Sequence, residues 1–390
     1  MTELTLPLTD QWANIREGVA QICARFDNAY WMALDAASEY PHEFVDALTE
    51  AGYLAALIPE EYGGAGLPIA AAGAILETIH AAGCNAAACH AQMYTMGTVL
   101  RHGSAEQKQK YLPGIASGAP RLQAFGVTEP TTGSDTTQLK TRAVREGNQY
   151  VVSGQKVWTS RALQSDLMLL LARTTPPDQV KRRSDGISVF LVDLREAVGN
   201  DVEIRKLDAA INHSTTEVFI DNLKLPPETL IGEEGRGFKY ILDGMNAERI
   251  LIAHESLGDG KYFIERATDY ARARVVFGHP IGKNQGVQFP IARAYAALQA
   301  AELLVQKAAA KFDAGQDCGA EANMGKMLAA EAFWHAAEAA MQTFGGFAFA
   351  REYGIERKWR ECRLYQTASI STNMILGYIG QHILGLPRSY

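Results

Sequence analysis

The chain has 390 residues, is 47% hydrophobic, and carries a formal charge of −7 from 37 basic and 44 acidic side chains. That length exceeds what one hydrophobic core usually organises, so two or three packed units are expected. The modest, dispersed negative charge excludes a groove that neutralises many nucleic-acid phosphates, and the longest apolar runs, such as Leu167 to Ala172, are too short to span a membrane.

The opening MTELTLPLTDQW lacks the basic-then-apolar order of a secretory leader. From Trp12 to about Leu112 the pattern is Ala-rich and helical, with Ala72, Ile75, Leu76, Ile79 and Ala82 forming one apolar stripe. Composition shifts at Pro113 to Pro120. Beyond it the β-branched runs from Gln149 (QYVVSGQKVW), Gly186 (GISVFLVD) and Thr215 (TTEVFIDNL) read as strands of a central sheet. Pro226, Pro227, Gly232, Gly235 and Gly237 interrupt any regular element there, and helical periodicity then resumes to the C-terminus. The long Ala-rich stretches from Ala294 and Asn323 allow close helix packing, and they show more apolar surface than one bundle can bury, which points to self-association. The expected division is a helical domain over 1–120, a β domain over 121–228 and a helical bundle over 229–390, an α+β class. Cys23, Cys84, Cys89, Cys318 and Cys362 are odd in number and scattered, with no CxxC pair, so neither structural disulfides nor a zinc site is expected, and a reducing, cytoplasmic compartment is.

Two motifs carry chemistry. In FGVTEPTTGSD, Phe125 to Asp135, the hydroxyls and main-chain N–H groups of Thr128, Thr132 and Ser134 surround Gly133, which permits close approach to a flavin edge or a pyrophosphate. Trp158, in KVWTSRA, adds a flat indole face. Taken alone, these residues fit a polar turn and a core Trp better. A second patch, QTFGGFAFAREYGIERKWRE from Gln342 to Glu361, changes the balance. With both patches in order, the chain resembles the acyl-CoA dehydrogenase family over essentially its whole length, with departures at Thr132, Gln138 and Ala348.

That resemblance implies an N-terminal α-helical domain, a central β-sheet domain and a C-terminal four-helix bundle, with FAD as cofactor and dimers that assemble into a homotetramer. It places Phe125, Val127, Thr128, Gly133 and Ser134 along the flavin and pyrophosphate, and Trp158 and Ser160 beside the reactive N5. Arg274, Gln285, Gln342 and Gly346, with Phe277 and Gly345, would bind the dinucleotide of the neighbouring subunit's FAD. An Arg fork suits a pyrophosphate, although a lone Arg at a helix end is more often a solvated charge. Asn284 stands where the family usually has Phe. Ser371 and Asn373 occupy positions where the family has Thr and Gln against the flavin.

The family's chemistry needs a carboxylate over the α-carbon of an acyl-CoA thioester, and many members place it as Glu after the second motif. Here that position is Ser369, whose hydroxyl is far too weak a base. Members resembling isovaleryl-CoA and long-chain dehydrogenases carry the Glu on a C-terminal-domain helix, immediately before an Arg. Glu248 precedes Arg249 in this way, so Glu248 is assigned as the base that takes the α-proton while a β-hydride leaves to flavin N5, giving the trans-2-enoyl-CoA. Its plainer reading is a surface Glu–Arg pair in a helix.

By resemblance the Ser369 main-chain N–H still polarises the thioester carbonyl, Arg249 organises base and substrate, and Asn246 stands where an Asp often contacts CoA. Ala368 replaces a bulky Tyr, which widens the acyl pocket and favours a branched, cyclic or long acyl group. Electron-transferring flavoprotein is the implied electron acceptor. Two other readings of the same fold stay open: a flavin oxidase or monooxygenase, and a non-catalytic flavoprotein.

Overall fold

The computed structural model describes residues 10–388, so the leader expectation falls largely outside the described residues. The chain forms two compact units, each assembled from separated segments. Ser38–Leu67 and Ala87–Met245 make a sheet unit, and the described residues of Met1–Ala37, Pro68–Ala86 and Asn246–Tyr390 make a helical unit.

In the sheet unit, seven strands lie in the order β1-β4-β2-β3-β7-β6, with β5 also paired to β4. They are β1 Leu122–Gly126, β2 Arg142–Glu146, β3 Gln149–Ser160, β4 Leu167–Arg173, β5 Ile187–Asp193, β6 Val202–Lys206 and β7 Thr215–Leu225. β1 runs parallel to β4, while β4–β5, β2–β3, β3–β7 and β6–β7 are antiparallel. Strand β4, LMLLLAR, is buried at every position. Side chains alternate across a strand, so Met168, Leu170 and Ala172 join one core with Phe190 and Val218. Leu167, Leu169 and Leu171 join another with Met96, Val99, Leu112 and Ile115 from two flanking helices. An apolar run too short for a bilayer is thus a strand covered on both faces.

The expected break at Pro113 moves downstream. Ser104 and Gln107 close a reciprocal capping box at the start of helix Ala105–Ser117, which runs through Pro113. It stops at Gly118, whose φ of 90° suits only glycine.

In the helical unit, the stripe Ala72, Ile75, Leu76, Ile79 belongs to helix Ile69–Ala81, which is buried almost all round, while Ala82 is exposed beyond its end. The predicted long helices are Gln285–Asp313 and Gly319–Phe344. Their small residues permit close approach: a Cβ on Gly325 would stand 3.3 Å from Val305. Leu298, Ala301, Val305, Ala329 and Ala332 pack there with Ala253 and Leu257 of helix Gly237–Ala273. Among the described residues no helix is long and apolar enough to cross a membrane. All five cysteines are buried free thiols.

Candidate active site

The sheet unit presents the first motif at the end of β1. Glu129 and Thr132 exchange two main-chain hydrogen bonds of 3.0 Å, closing the TEPTT turn. The Val157 N–H donates to the Thr128 carbonyl at 2.9 Å and so ties the turn to β3. The β3–β7 register slips between Lys156 and Thr159, and Trp158 sits at this bulge with φ 61° and 60% exposure. A bulge re-aims a side chain that regular pleating would bury, and here it turns the indole outward. Gly133 and Ser134 are exposed, and a Cβ added to Gly133 meets nothing within 4 Å. Val127, Thr128 and Ser160 are half-buried beside them in sequence. Two motif residues turn inward: Phe125 packs against Tyr94 at 5.9 Å between ring centroids, and Thr132 is buried with its hydroxyl 3.5 Å from the Gln138 carbonyl.

A buried ion pair underpins this turn. Wholly buried Lys156 donates to Glu129 Oε1 at 2.9 Å and to the Val127 carbonyl at 3.1 Å. Glu129 also accepts the main-chain N–H groups of Lys140 (2.6 Å) and Thr141 (2.9 Å). Burial pulls the Lys156 pKa down to about 8, even with the Glu129 carboxylate raising it. Sequence reading passed over Lys156, because a lysine following Gln155 on a strand reads as a solvated side chain; the Glu of the TEP turn was the available signal.

The helical unit presents the second motif around a cavity of about 660 Å³, lined by Tyr270, Arg274, Val276, Thr343, Gly346 and Phe347 among others. The Arg274 guanidinium lies 5.6 Å from the centroid of the Phe347 ring. Gly345 has φ 59°, and a Cβ on either Gly345 or Gly346 meets nothing within 4 Å, leaving a bare main-chain cradle. Phe277 and Gly278, both with positive φ, form the turn between Val275–Val276 and His279–Pro280, and Phe277 is 97% exposed. Gln285, Gln342 and Asn373 are exposed. Ser371 Oγ accepts the Met374 N–H at 3.4 Å and caps helix Thr372–Tyr378. Main-chain N–H groups with room around glycines and an Arg beside aromatic rings are the features a dinucleotide uses.

Glu248 and Arg249 are half-buried in helix Gly237–Ala273. Arg249 Nη1 donates to Asn246 Oδ1 at 2.9 Å, so one predicted pair is in direct contact. Burial lowers the Arg249 pKa, and the Glu248 carboxylate pulls it back up. Ala368 is half-buried and Ser369 exposed, just after helix Ile355–Thr367. Sequence reading missed Lys326, wholly buried in helix Gly319–Phe344, whose Nζ donates to the carbonyls of Tyr365 (2.5 Å) and Ile370 (2.8 Å) on either side of Ala368 and Ser369.

Arg357 and Glu361 of the second motif lie in a buried network in the helical unit. Lys358 Nζ contacts Asp259 (2.5 Å), Glu361 (2.8 Å) and His80 Nδ1 (3.3 Å), and Arg357 donates to Glu361 (3.2 Å) and to the Gly83 carbonyl (2.7 Å). His80, Asp259 and Glu361 have spacing that could hold a metal ion, but the Lys358 ammonium already stands among them. Burial raises the Glu361 pKa, and Lys358 and Arg357 outweigh that, bringing it to about 2.

Three family models match the chain: the acyl-CoA dehydrogenase N-terminal domain over residues 9–119, middle domain over 124–223 and C-terminal domain over 235–384. The acyl-CoA dehydrogenase FadE12 of Mycobacterium tuberculosis is 33% identical, covering 100% of both chains. A cyclohex-1-ene-1-carbonyl-CoA dehydrogenase of Syntrophus aciditrophicus is 32% identical over 94% of this chain and 88% of its own. Among solved structures, a glutaryl-coenzyme A dehydrogenase complex with glutaryl-CoA is 28% identical and superposes with a TM-score of 0.90, covering 99% of this chain and 98% of the other.

Proposed function

Because the chain belongs to the acyl-CoA dehydrogenase family, we propose that it oxidises an acyl-CoA thioester to the trans-2-enoyl-CoA with Glu248 as the base. It is an oxidoreductase acting on CH–CH groups, with FAD as cofactor and an acyl-CoA as substrate. The residues present fit FAD. Bare main chain at Gly133 and Gly346, the outward Trp158 face and the Arg274 cavity suit a flavin dinucleotide. Val127, Thr128, Gly133, Ser134, Trp158 and Ser160 are proposed as its contacts in the sheet unit, while Arg274, Gln285, Gln342 and Gly346 of the helical unit are proposed to bind the dinucleotide of the neighbouring subunit's FAD. FAD, when bound, supplies the acceptor for the β-hydride.

The observation that carries the base assignment is the setting of Glu248, half-buried, next to Arg249 and within the electrostatic reach of buried Lys326. A carboxylate in that setting is the group that accepts the α-proton. The main-chain N–H of Ser369 donates to the thioester carbonyl oxygen, where enolate-like charge builds, and one well-aimed donor contributes about 3 kcal/mol. Arg249, held by Asn246, fixes the base.

Small Ala368 supports a branched, cyclic or long acyl group. The exposed Val275, Val276, Phe277, Phe289 and Phe349 support self-association to a homotetramer, and the free thiols a cytoplasmic setting. Electron-transferring flavoprotein is proposed as acceptor. The division 1–120, 121–228 and 229–390 is supported by the three model spans.

Anaerobic titration with acyl-CoA thioesters of varied length and branching, read by flavin absorbance, tests the reading. Bleaching by a thioester is expected, whereas oxygen consumption on another substrate without such bleaching selects the oxidase or monooxygenase alternative. Glu248→Gln is expected to lower the reductive rate at least about 100-fold, and an unchanged rate removes Glu248 from the mechanism.

A further inference from the structure

Burying an ammonium is costly unless its protons are matched. Lys326 has no exposed surface, and among the described residues its hydrogen bonds reach no carboxylate. Its hydrogen bonds go instead to two main-chain oxygens, Tyr365 O at 2.5 Å and Ile370 O at 2.8 Å. These bracket a short stretch that leaves helix Ile355–Thr367, passes through Ala368 and Ser369, and enters helix Thr372–Tyr378. The Ala368 N–H still donates to Leu364 O at 2.8 Å, and Thr372 Oγ1 lies 3.4 Å from Gln366 O. The side chain of Lys326 is therefore a strut across the turn. Burial pulls its pKa down to about 8; the Glu248 carboxylate raises it and Arg249 lowers it. One side chain thus touches the Ser369 turn and feels the charge of Glu248.

We propose that Lys326 is a positioning residue for the oxidation: its two hydrogen bonds fix the Tyr365–Ile370 turn so that the Ser369 N–H is aimed. This rests on the oxidation and the Ser369 role given above.

Lys326→Met removes the strut, and Lys326→Gln keeps a shorter amide donor in its place. Two readouts apply to FAD-loaded wild type and both variants: amide hydrogen exchange over 365–371, and anaerobic flavin reduction by the best thioester of the panel. In Lys326→Met, exchange across the turn is expected to quicken at least about tenfold. The limiting reduction rate should fall about 10- to 100-fold, with substrate Kd within about threefold. In Lys326→Gln, exchange protection and rate should be partly restored together. Unchanged turn exchange in Lys326→Met overturns the proposal, as does quickened exchange with an unchanged rate. Exchange that quickens equally along Gly319–Phe344 and Ile355–Thr367 shows a merely structural lysine and also overturns it. If wild type is bleached by no thioester, the functional reading fails, and the exchange experiment still decides whether the strut exists.

Discussion

In the sheet unit Lys156 meets its counter-charge, Glu129, at 2.9 Å, whereas in the helical unit Lys326 meets only the main-chain oxygens of Tyr365 and Ile370. Both are wholly buried, and burial brings both down to about 8. Lys358, equally buried but among Asp259 and Glu361, is instead raised, because two carboxylates outweigh desolvation. One adjacent carboxylate does not overcome burial in Lys156; two do in Lys358. What distinguishes the lysines is therefore their use. Lys358 belongs to a self-compensated network that stabilises the bundle, while Lys156 and Lys326 clamp the carbonyls of turns that carry proposed site residues.

The largest effect expected from breaking this contrast is at Lys358. Lys358→Met leaves Asp259 and Glu361 buried with much of their compensation gone, and equilibrium denaturation should record a loss of about 3–5 kcal/mol. Lys156→Met should cost less, about 1–3 kcal/mol, because Glu129 keeps its two main-chain donors. It should also release FAD more readily, since the Val127 carbonyl loses its clamp. If Lys156→Met equals or exceeds Lys358→Met in cost, the distinction between turn clamp and structural network collapses.

A pH series sharpens the comparison further. Burial alone would lower the His80 pKa, but Asp259 at 2.9 Å, with Glu255 at 3.7 Å, raises it to about 9 against the opposing Lys358. A group held above its unfolded value near 6.5 contributes stability that is fully present below pH 6.5 and is lost as pH rises through 9. The melting temperature should therefore drop by a few °C between pH 6.5 and 9, and the drop should shrink in His80→Gln; an equal drop in both proteins refutes the assignment. The smallest effects belong to the cradles. A Cβ at Gly133 or Gly346 meets nothing, so either Gly→Ala change should leave the melting temperature of the FAD-free chain within about 1 °C and weaken FAD binding several-fold. Unchanged FAD affinity at one position removes that cradle from the cofactor site.

The elements with a repeating hydrophobic pattern were legible in the sequence. The runs from Gln149, Gly186 and Thr215 are β3, β5 and β7, and the two Ala-rich stretches are long helices, because β-branched composition marks the first and helical spacing the second. Pro113 misled, since a proline within a helix costs one hydrogen bond without forcing an end, and Gly118 supplies the actual stop. The motif residues were legible as a set, but not their division of labour: Phe125 and Thr132 face inward, and Arg357 and Glu361 serve the core. The buried lysines were invisible for a physical reason. Lysine carries no sign of burial in its own identity, and the oxygens that satisfy Lys326 lie on main chain 39 and 44 residues away, where side-chain type records nothing.

The helical unit is built from three stretches that the sheet unit's residues separate in sequence. Glu77 closes onto His254, 177 positions later, and Asn28 onto the Glu352 carbonyl, 324 positions later. Loop closure on that scale is slow and must precede any reward from packing. A ribosome releasing this polypeptide therefore exports its first helices long before all their neighbours exist: Asn28 and Trp31 wait for the Glu352 carbonyl and the Arg357 guanidinium, which emerge among the final hundred residues. The nascent chain, rather than the finished enzyme, is where this architecture is most exposed to aggregation and most dependent on chaperones.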